Sequence, residues 1–326
     1  MASDYRAAPP SIERCLSSSG NGYSPAHITG FFTIHMAGDP ICTGSTGAGI
    51  CLKDGVTSEV AADDSGSPRF TLTVNGAPVN SPTCVTTVKS MLAGLPPLSI
   101  RVKQSSLMPA NYGYGISAAS ALSVAIAISS ALGLDLPKTE IGKFAHTAEV
   151  ENFTGLGDVS AELAGGFEVR LKPGAPGFGE VQSLPFLPNR LVVTAPVLQF
   201  ATKRMITEPV YVERINKLGG AAMDAFLESP TLDSFMRQSR IFWEGVGIAD
   251  EKIRSVMSLF EKAGIAFPSA KKGLVFGIVS RDELPGVLKR LVPCHREPEG
   301  DPPFLMRDDA HGMKLIISEI SERGAC

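Results

Sequence analysis

The chain has 326 residues, 44% hydrophobic and 19% charged, a globular balance that excludes intrinsic disorder for the chain as a whole. Thirty Lys and Arg against 33 Asp and Glu leave a formal charge of −3, so overall charge gives no reason to bind nucleic acid or an anionic membrane. At roughly 150 residues per domain the length suggests about two domains, with enough core to need neither disulfide nor metal staples.

In chain order, residues 1–22 read as a loose arm ending in Ser17-Ser18-Ser19-Gly20-Asn21-Gly22, with Asp4, Pro9 and Pro10 arguing against a secretory leader. Ile28 to Met36 reads as a strand, and Gly44-Ser45-Thr46-Gly47-Ala48-Gly49 as a glycine-rich loop. Phe70 to Val74 is a strand entering an Asn75-Gly76 hairpin turn. A helix over Cys84 to Leu92 and a strand over Leu98 to Gln104 follow. The apolar run Ser117 to Leu134 is rich in alanine and serine, short and polar for a bilayer span, and reads as a buried helix. A further helix runs from Pro137 to about Asn152, then a turn over Thr154 to Asp158, then Gly165-Gly166 and a strand over Phe167 to Leu171. The proline- and glycine-rich stretch Lys172 to Asn189 marks a domain boundary. The boundaries expected are therefore 1–22, 23–185 and 186–326. The last unit opens with a strand at Leu191 to Leu198. It continues with helical runs including Ser229 to Trp243 and Asp250 to Ala263, a strand at Leu274 to Val279, a helix around Glu283 to Leu291 and a strand near Met313 to Ile317. Strands and helices mix without regular alternation, which favours α+β. Six cysteines, Cys15, Cys42, Cys51, Cys84, Cys294 and Cys326, form no C-x-x-C pair and read as free thiols in a reducing, cytoplasmic setting.

Chemistry concentrates in Pro109-Ala110-Asn111-Tyr112-Gly113-Tyr114-Gly115-Ile116-Ser117-Ala118-Ala119, between a strand and a helix. Glycines let the backbone turn tightly beside a ligand, and the first helical turn offers unpaired N–H groups to an anion. The helix field contributes only about 0.3 to 1 kcal/mol near a surface, so hydrogen bonds and a cation must supply most of a nucleotide's affinity. An N-capped core helix is the competing account of the same pattern. No G-K-[ST] follows, which excludes an ordinary P-loop at this site. Glu149 and Asp158 downstream supply two carboxylates, one for a hard cation and one for a substrate hydroxyl, as phosphoryl transfer needs. Each acid alone equally fits a solvated surface charge. His146 shares a helix face with Glu149, and no second cluster with metal spacing accompanies it. Arg170, on the strand after Gly165-Gly166, suits bidentate capture of a carboxylate.

Taken together, the P-x-x-x-G-x-G-x-S-A-A loop, the glutamate and the G-x-x-D turn closed by Gly-Gly resemble the GHMP kinase superfamily. Ser24-Pro25-Ala26-His27-Ile28-Thr29-Gly30-Phe31-Phe32 and Asp39-Pro40 through Gly49 look like the archaeal pantoate kinases. The resemblance covers residues 24 to about 171. It implies an N-terminal domain like ribosomal protein S5 domain 2, a ferredoxin-like C-terminal domain, and transfer of the ATP γ-phosphoryl group to the 4-hydroxyl of pantoate. It implies that Pro109, Gly113, Tyr114, Gly115, Ile116, Ser117, Ala118 and Ala119 cradle ATP, that Ser117 and Glu149 hold Mg2+, and that Asp158 attends the attacking hydroxyl. Ser45, His146, Arg170 and His27 become the acceptor candidates, and a homodimer a family-level expectation. Three departures stand out. His27 falls where relatives such as mevalonate kinase carry Lys or Arg, a charge that helps keep the aspartate ionised. Ile116 replaces the first serine of a G-L-G-S-S form. For the third, C-terminal glycine-rich motif, Ser269-Ala270-Lys271-Lys272-Gly273 is a poor candidate. A GHMP kinase for another small hydroxy acid (mevalonate or homoserine type) and a non-catalytic sensor on the same fold remain the alternatives.

Overall fold

A computed structural model of the chain describes residues 17–64, 68–248, 250–292, 303–308 and 313–326. Two long strands, β1 (Ser17–His35) and β2 (Gly44–Asp63), pair antiparallel from Ser17↔Asp63 to His35↔Gly44. Next come β3 (Phe70–Val74), β4 (Ala77–Pro78), α1 (Pro82–Met91), β5 (Ser99–Ser105), α2 (Ile116–Leu132), α3 (Lys138–Glu151), α4 (Asp158–Ala164), β6 (Phe167–Lys172) and β7 (Glu180–Leu184). These strands form one sheet in the order β4-β3-β5-β2-β6-β7, with β1 on β2. The second part of the chain comprises β8 (Arg190–Pro196), α5 (Thr202–Thr207), α6 (Pro209–Glu228), α7 (Leu232–Val246), α8 (Glu251–Lys262), β9 (Ser269–Lys271), β10 (Leu274–Ser280), α9 (Leu284–Leu291), β11 (Phe304–Asp308) and β12 (Met313–Glu319). Its sheet runs β11-β12-β8-β10-β9, antiparallel throughout. The class is α+β, as the sequence predicts.

Most elements fall where the residue patterns put them. The Asn75-Gly76 turn has both residues left-handed, φ 50° and 82°, as a two-residue hairpin requires. Ser81 caps α1 by accepting from the Cys84 N–H, and Pro82 stands in the first turn, where its missing N–H costs nothing. Two serines of α2, Ser120 and Ser123, are satisfied inside the core. Ser123 meets Ser58 at 2.7 Å, Ser120 donates to Gln104 Oε1 at 2.6 Å, and Gln104 Nε2 donates to Ser58 at 2.9 Å.

Three differences have physical causes. Ser17–Gly22 is not an arm but the first part of β1, paired with Ser58–Asp63, while residues 1–16 lie outside the described residues, as do Cys15 and Cys294. Its small residues are required by packing: a Cβ on Gly20 would lie 2.3 Å from the Ala127 carbonyl of α2, and one on Gly22 2.2 Å from that of Ser123. Gly44–Gly49 is not a loop either. It opens β2, with Gly47–Ile50 paired to Arg170–Phe167 of β6 on one side and to β1 on the other. Asp158, expected in a turn, is the first residue of α4.

One core cluster spans both halves. Phe31 of β1 and Phe167 of β6 pack on Phe226 of α6 and Phe235 of α7, and Phe235 reaches Phe276 of β10, with ring centroids 5.4–6.4 Å apart. Among the described residues no helix is long and apolar enough to cross a membrane.

Candidate active site

The loop before α2 is held in shape from three sides. His27 N–H donates to the Tyr114 carbonyl at 2.8 Å, the Tyr114 hydroxyl donates to Thr194 Oγ1 of β8 at 2.8 Å, and Phe200 N–H donates to the Asn111 carbonyl at 2.7 Å. Gly115 caps α2 with φ 70°, a left-handed conformation that a side chain would strain, and no side chain caps the helix. The first N–H groups of α2 are therefore left without a side-chain cap, as donors suited to an anion. They border a cavity of about 510 Å³ whose walls combine the apolar side chains of Val56, Leu72, Met108, Phe153 and Phe200 with the polar ones of Ser117, Glu149, Asp158 and Lys272. Pro109, Gly113, Tyr114, Gly115, Ile116 and Ser117 all line it, whereas Ala118 and Ala119 are buried within α2 and do not.

Glu149, on the last turn of α3, is 2% exposed, yet its Oε1 accepts from Ser117 Oγ and from Thr154 Oγ1, each at 2.6 Å. Thr83 of α1 completes the hydroxyl ring, 3.2 Å from Ser117 and 3.1 Å from Thr154. Burial pushes Glu149 up to about 7, against the pull of the two hydroxyls. A desolvated carboxylate beside a serine hydroxyl at the edge of the loop before α2 suits a hard divalent cation, which Glu149 and Ser117 would hold.

Asp158 projects between the two sheets. Its Oδ1 is 2.7 Å from His27 Nδ1, 3.3 Å from Lys271 Nζ of β9, and accepts from Thr29 Oγ1 at 3.3 Å. Burial alone would raise its pKa, but Lys271, the His27 hydrogen bond and Lys272 outweigh burial and hold the carboxyl well below the usual range. The departure at His27 is thus compensated from the other half of the chain: the cation beside the aspartate is Lys271, which also donates to the His27 carbonyl at 3.1 Å. The segment Ser269–Gly273, a poor match to a glycine-rich motif, nevertheless lies at the centre of the site.

Beside Asp158 lies a smaller cavity lined by Thr29, Phe32, Ser45, Gly155, Gly157, Met205, Trp243, Lys271 and Lys272, among others. Of the four acceptor candidates, Ser45 is the one among its described lining residues. The other three stand behind its wall. His27 is fully buried, its Nε2 3.1 Å from Glu168 Oε1. Arg170 pairs through Nη1 with Glu168, while its buried Nε has no partner among the described residues. A Cβ on Gly157 would lie 2.9 Å from that Nε and 2.2 Å from Ser45 Oγ, so the glycine keeps open a lane between the guanidinium and the cavity. His146 is a layer further back. Its Nε2 faces the carbonyls of Pro40 at 3.1 Å and Thr43 at 2.9 Å, and burial pushes its pKa down, so the neutral ring holds the segment that carries Ser45.

Reading the sequence missed Thr29, Thr83, Thr154, Glu168, Lys271 and Lys272. The first three are single hydroxyls without a spacing signal. The lysine pair was visible, but its placement depends on how the second sheet meets the first.

Comparison with known proteins agrees with this geometry. Residues 82–166, which hold α1, the loop, α2 and Glu149 with Asp158, match the GHMP kinases N terminal domain. The chain is 34% identical over 279 residues to the pantoate kinase of Thermococcus kodakarensis, covering 83% of this chain and 90% of that protein. It is 30% identical over 280 residues to the pantoate kinase of Methanocaldococcus jannaschii, covering 84% and 98%. A solved structure described as a phosphotransferase related to the CoA biosynthesis pathway superposes with a TM-score of 0.80 at 26% identity, over 94% of this chain and 98% of that one. With Glu149 buried, Asp158 at the junction of two cavities and relatives matched over nearly their full length, the chain belongs to the pantoate kinase family of the GHMP kinases.

Proposed function

We propose that the chain transfers the γ-phosphoryl group of ATP to the 4-hydroxyl of pantoate, giving 4-phosphopantoate and ADP for coenzyme A synthesis. The observation that carries this is Asp158, the carboxylate common to a nucleotide-sized cavity and to the smaller cavity beside Ser45. The α2 N-terminus and the 109–117 loop bind the phosphates, and the apolar side chains of the larger cavity receive the base. Ser117 and Glu149 would hold Mg2+, whose contribution when bound is to neutralise charge on the phosphates. Ser45 meets pantoate directly. Arg170, with an unpaired Nε behind Gly157, supplies positive charge for the carboxylate, and His146 and His27 position the groups in front of them.

A carboxylate held as low as Asp158 is a weak base, so it orients the hydroxyl and takes its proton late. The acceptor O–P bond forms as the bond from the γ-phosphorus to the leaving oxygen breaks. ADP departs with that electron pair, and the acceptor proton passes to Asp158. A loose transition state suits this order, because the hydroxyl need not be ionised before attack. We expect Asp158→Asn to lower kcat by roughly 10²- to 10⁴-fold while ATP still binds.

The two-domain division at 185/186 is supported by the membership of β1–β7 in one sheet and β8–β12 in the other. The free thiols Cys42, Cys51, Cys84 and Cys326 suit a reducing cytoplasm, and the homodimer expected of the family is checked by light scattering. The deciding experiment is ADP release with Mg2+ and ATP, offering pantoate, mevalonate, homoserine and pantothenate side by side. Turnover with pantoate alone supports the reading, and turnover with another acceptor replaces it.

A further inference from the structure

Lys271 and Lys272 are consecutive but face different tasks. Lys271 Nζ is taken up by the His27 carbonyl and Asp158. The Lys272 side chain turns to the seam between the two cavities and lines both of them, a position it shares with Asp158 and Thr202. Its ammonium is anchored from across that seam, donating to Thr202 Oγ1 of α5 at 2.5 Å, and among the described residues no carboxylate forms an ion pair with it. Its backbone is left-handed, φ 57°, a conformation a lysine adopts at a cost and one concentrated at functional sites. Burial and the neighbouring Lys271 ammonium push Lys272 down to about 8, while Asp158 and Glu149 pull the other way. A desolvated cation that forms no ion pair among the described residues, at the junction of a phosphate cradle and an acceptor cavity, is prepared for an anion that arrives with the ligands.

We propose that Lys272 is a further catalytic residue, whose ammonium contacts the γ-phosphoryl group of ATP and follows it from the nucleotide cavity to the acceptor. The proposal rests on the kinase reading above. It adds no proton step: Lys272 keeps its charge throughout, Asp158 takes the acceptor proton, and the charge spread over the transferring oxygens is what the ammonium stabilises. Thr202 directs the side chain and is a positioning residue.

The test uses the full chain and compares Lys272→Met with Lys272→Arg. For Lys272→Met we expect kcat to fall by about 10²- to 10³-fold, the size of losing one preorganised charge-stabilising donor, with the pantoate KM changed by less than roughly threefold. Calorimetric titration without acceptor should show weaker binding of a non-hydrolysable ATP analogue and unchanged binding of ADP. Lys272→Arg should recover part of both losses. A merely structural lysine would weaken ATP and ADP alike and would not be rescued by arginine, and that result overturns the proposal. So does a Lys272→Met enzyme with wild-type kcat. Should Lys272→Met fail to fold, Thr202→Val, which removes the anchor, decides instead: a selective loss of the ATP analogue supports the proposal, and equal binding of ATP analogue and ADP relative to wild type opposes it. If the wild-type protein binds ATP but phosphorylates no pantoate, the acceptor reading fails, and the ATP-against-ADP comparison still decides Lys272.

Discussion

Glu162 lies beside Gly115 at the start of α2, wholly buried, with Oε2 accepting from Ser24 Oγ at 3.2 Å and Oε1 without a partner among the described residues. Burial, with Asp158 and Glu149 adding to it, holds its pKa well above the ordinary carboxylate range. A raised acid binds its proton more tightly folded than unfolded. The native state therefore loses stability as pH rises from the usual carboxylate range towards the raised native value, and the penalty is absent below that window. Glu162→Gln should accordingly raise Tm more at pH 8 than at pH 5, measured by differential scanning fluorimetry; an equal shift at both pH values would contradict the assignment. Ser117, Glu149 and Asp158, which line the larger cavity, stand in segments that glycines and fixed spacing mark in the sequence, whereas Ser45 came forward through the family resemblance. Glu162 could be found in neither way. Its significance comes from its complete burial, which no residue pattern encodes.

Two short segments show how an element can serve the site without touching a ligand. The stretch from Asp39 to Ser45 is folded on itself by Cys42 and Thr43 N–H bonds to the Asp39 carbonyl, tied to Ala175 through the Ile41 carbonyl, and held from behind by His146. Removing the imidazole frees the carbonyls of Pro40 and Thr43, so His146→Ala should raise the pantoate KM by roughly tenfold, the equivalent of one or two net hydrogen bonds, and leave the ATP KM unchanged. Steady-state kinetics with each substrate varied in turn checks this. The glycine-rich start of β2 shows the limit of local reading. Glycine and serine suggest a loop by propensity, yet here they form a strand flanked by β1 and β6, because the surrounding pairing decides. The helices α2 and α3 were legible because each is long and its signal is local: the alanine-rich apolar run of α2, and Pro137 just before α3.

At the scale of the whole molecule, the two sheets share one core. Phe235 of α7 touches Phe31 and Phe167 of the first sheet and Phe276 of the second. Truncating it, Phe235→Ala, should cost about 3 to 5 kcal/mol, and calorimetry should show one unfolding transition for the wild-type chain. Two separate transitions would mean that this cluster does not couple the halves. Such coupling could not be read from sequence, since Phe31 and Phe235 are far apart in the chain and meet only through the fold. The same closeness leaves little between the two cavities: Asp158, Thr202 and Lys272 border both. For inhibitor chemistry this makes the enzyme a two-room target with a thin shared wall. A single compound joining an adenosine polyphosphate to a hydroxy-acid mimic could occupy both rooms, its second half held at high effective concentration by the first.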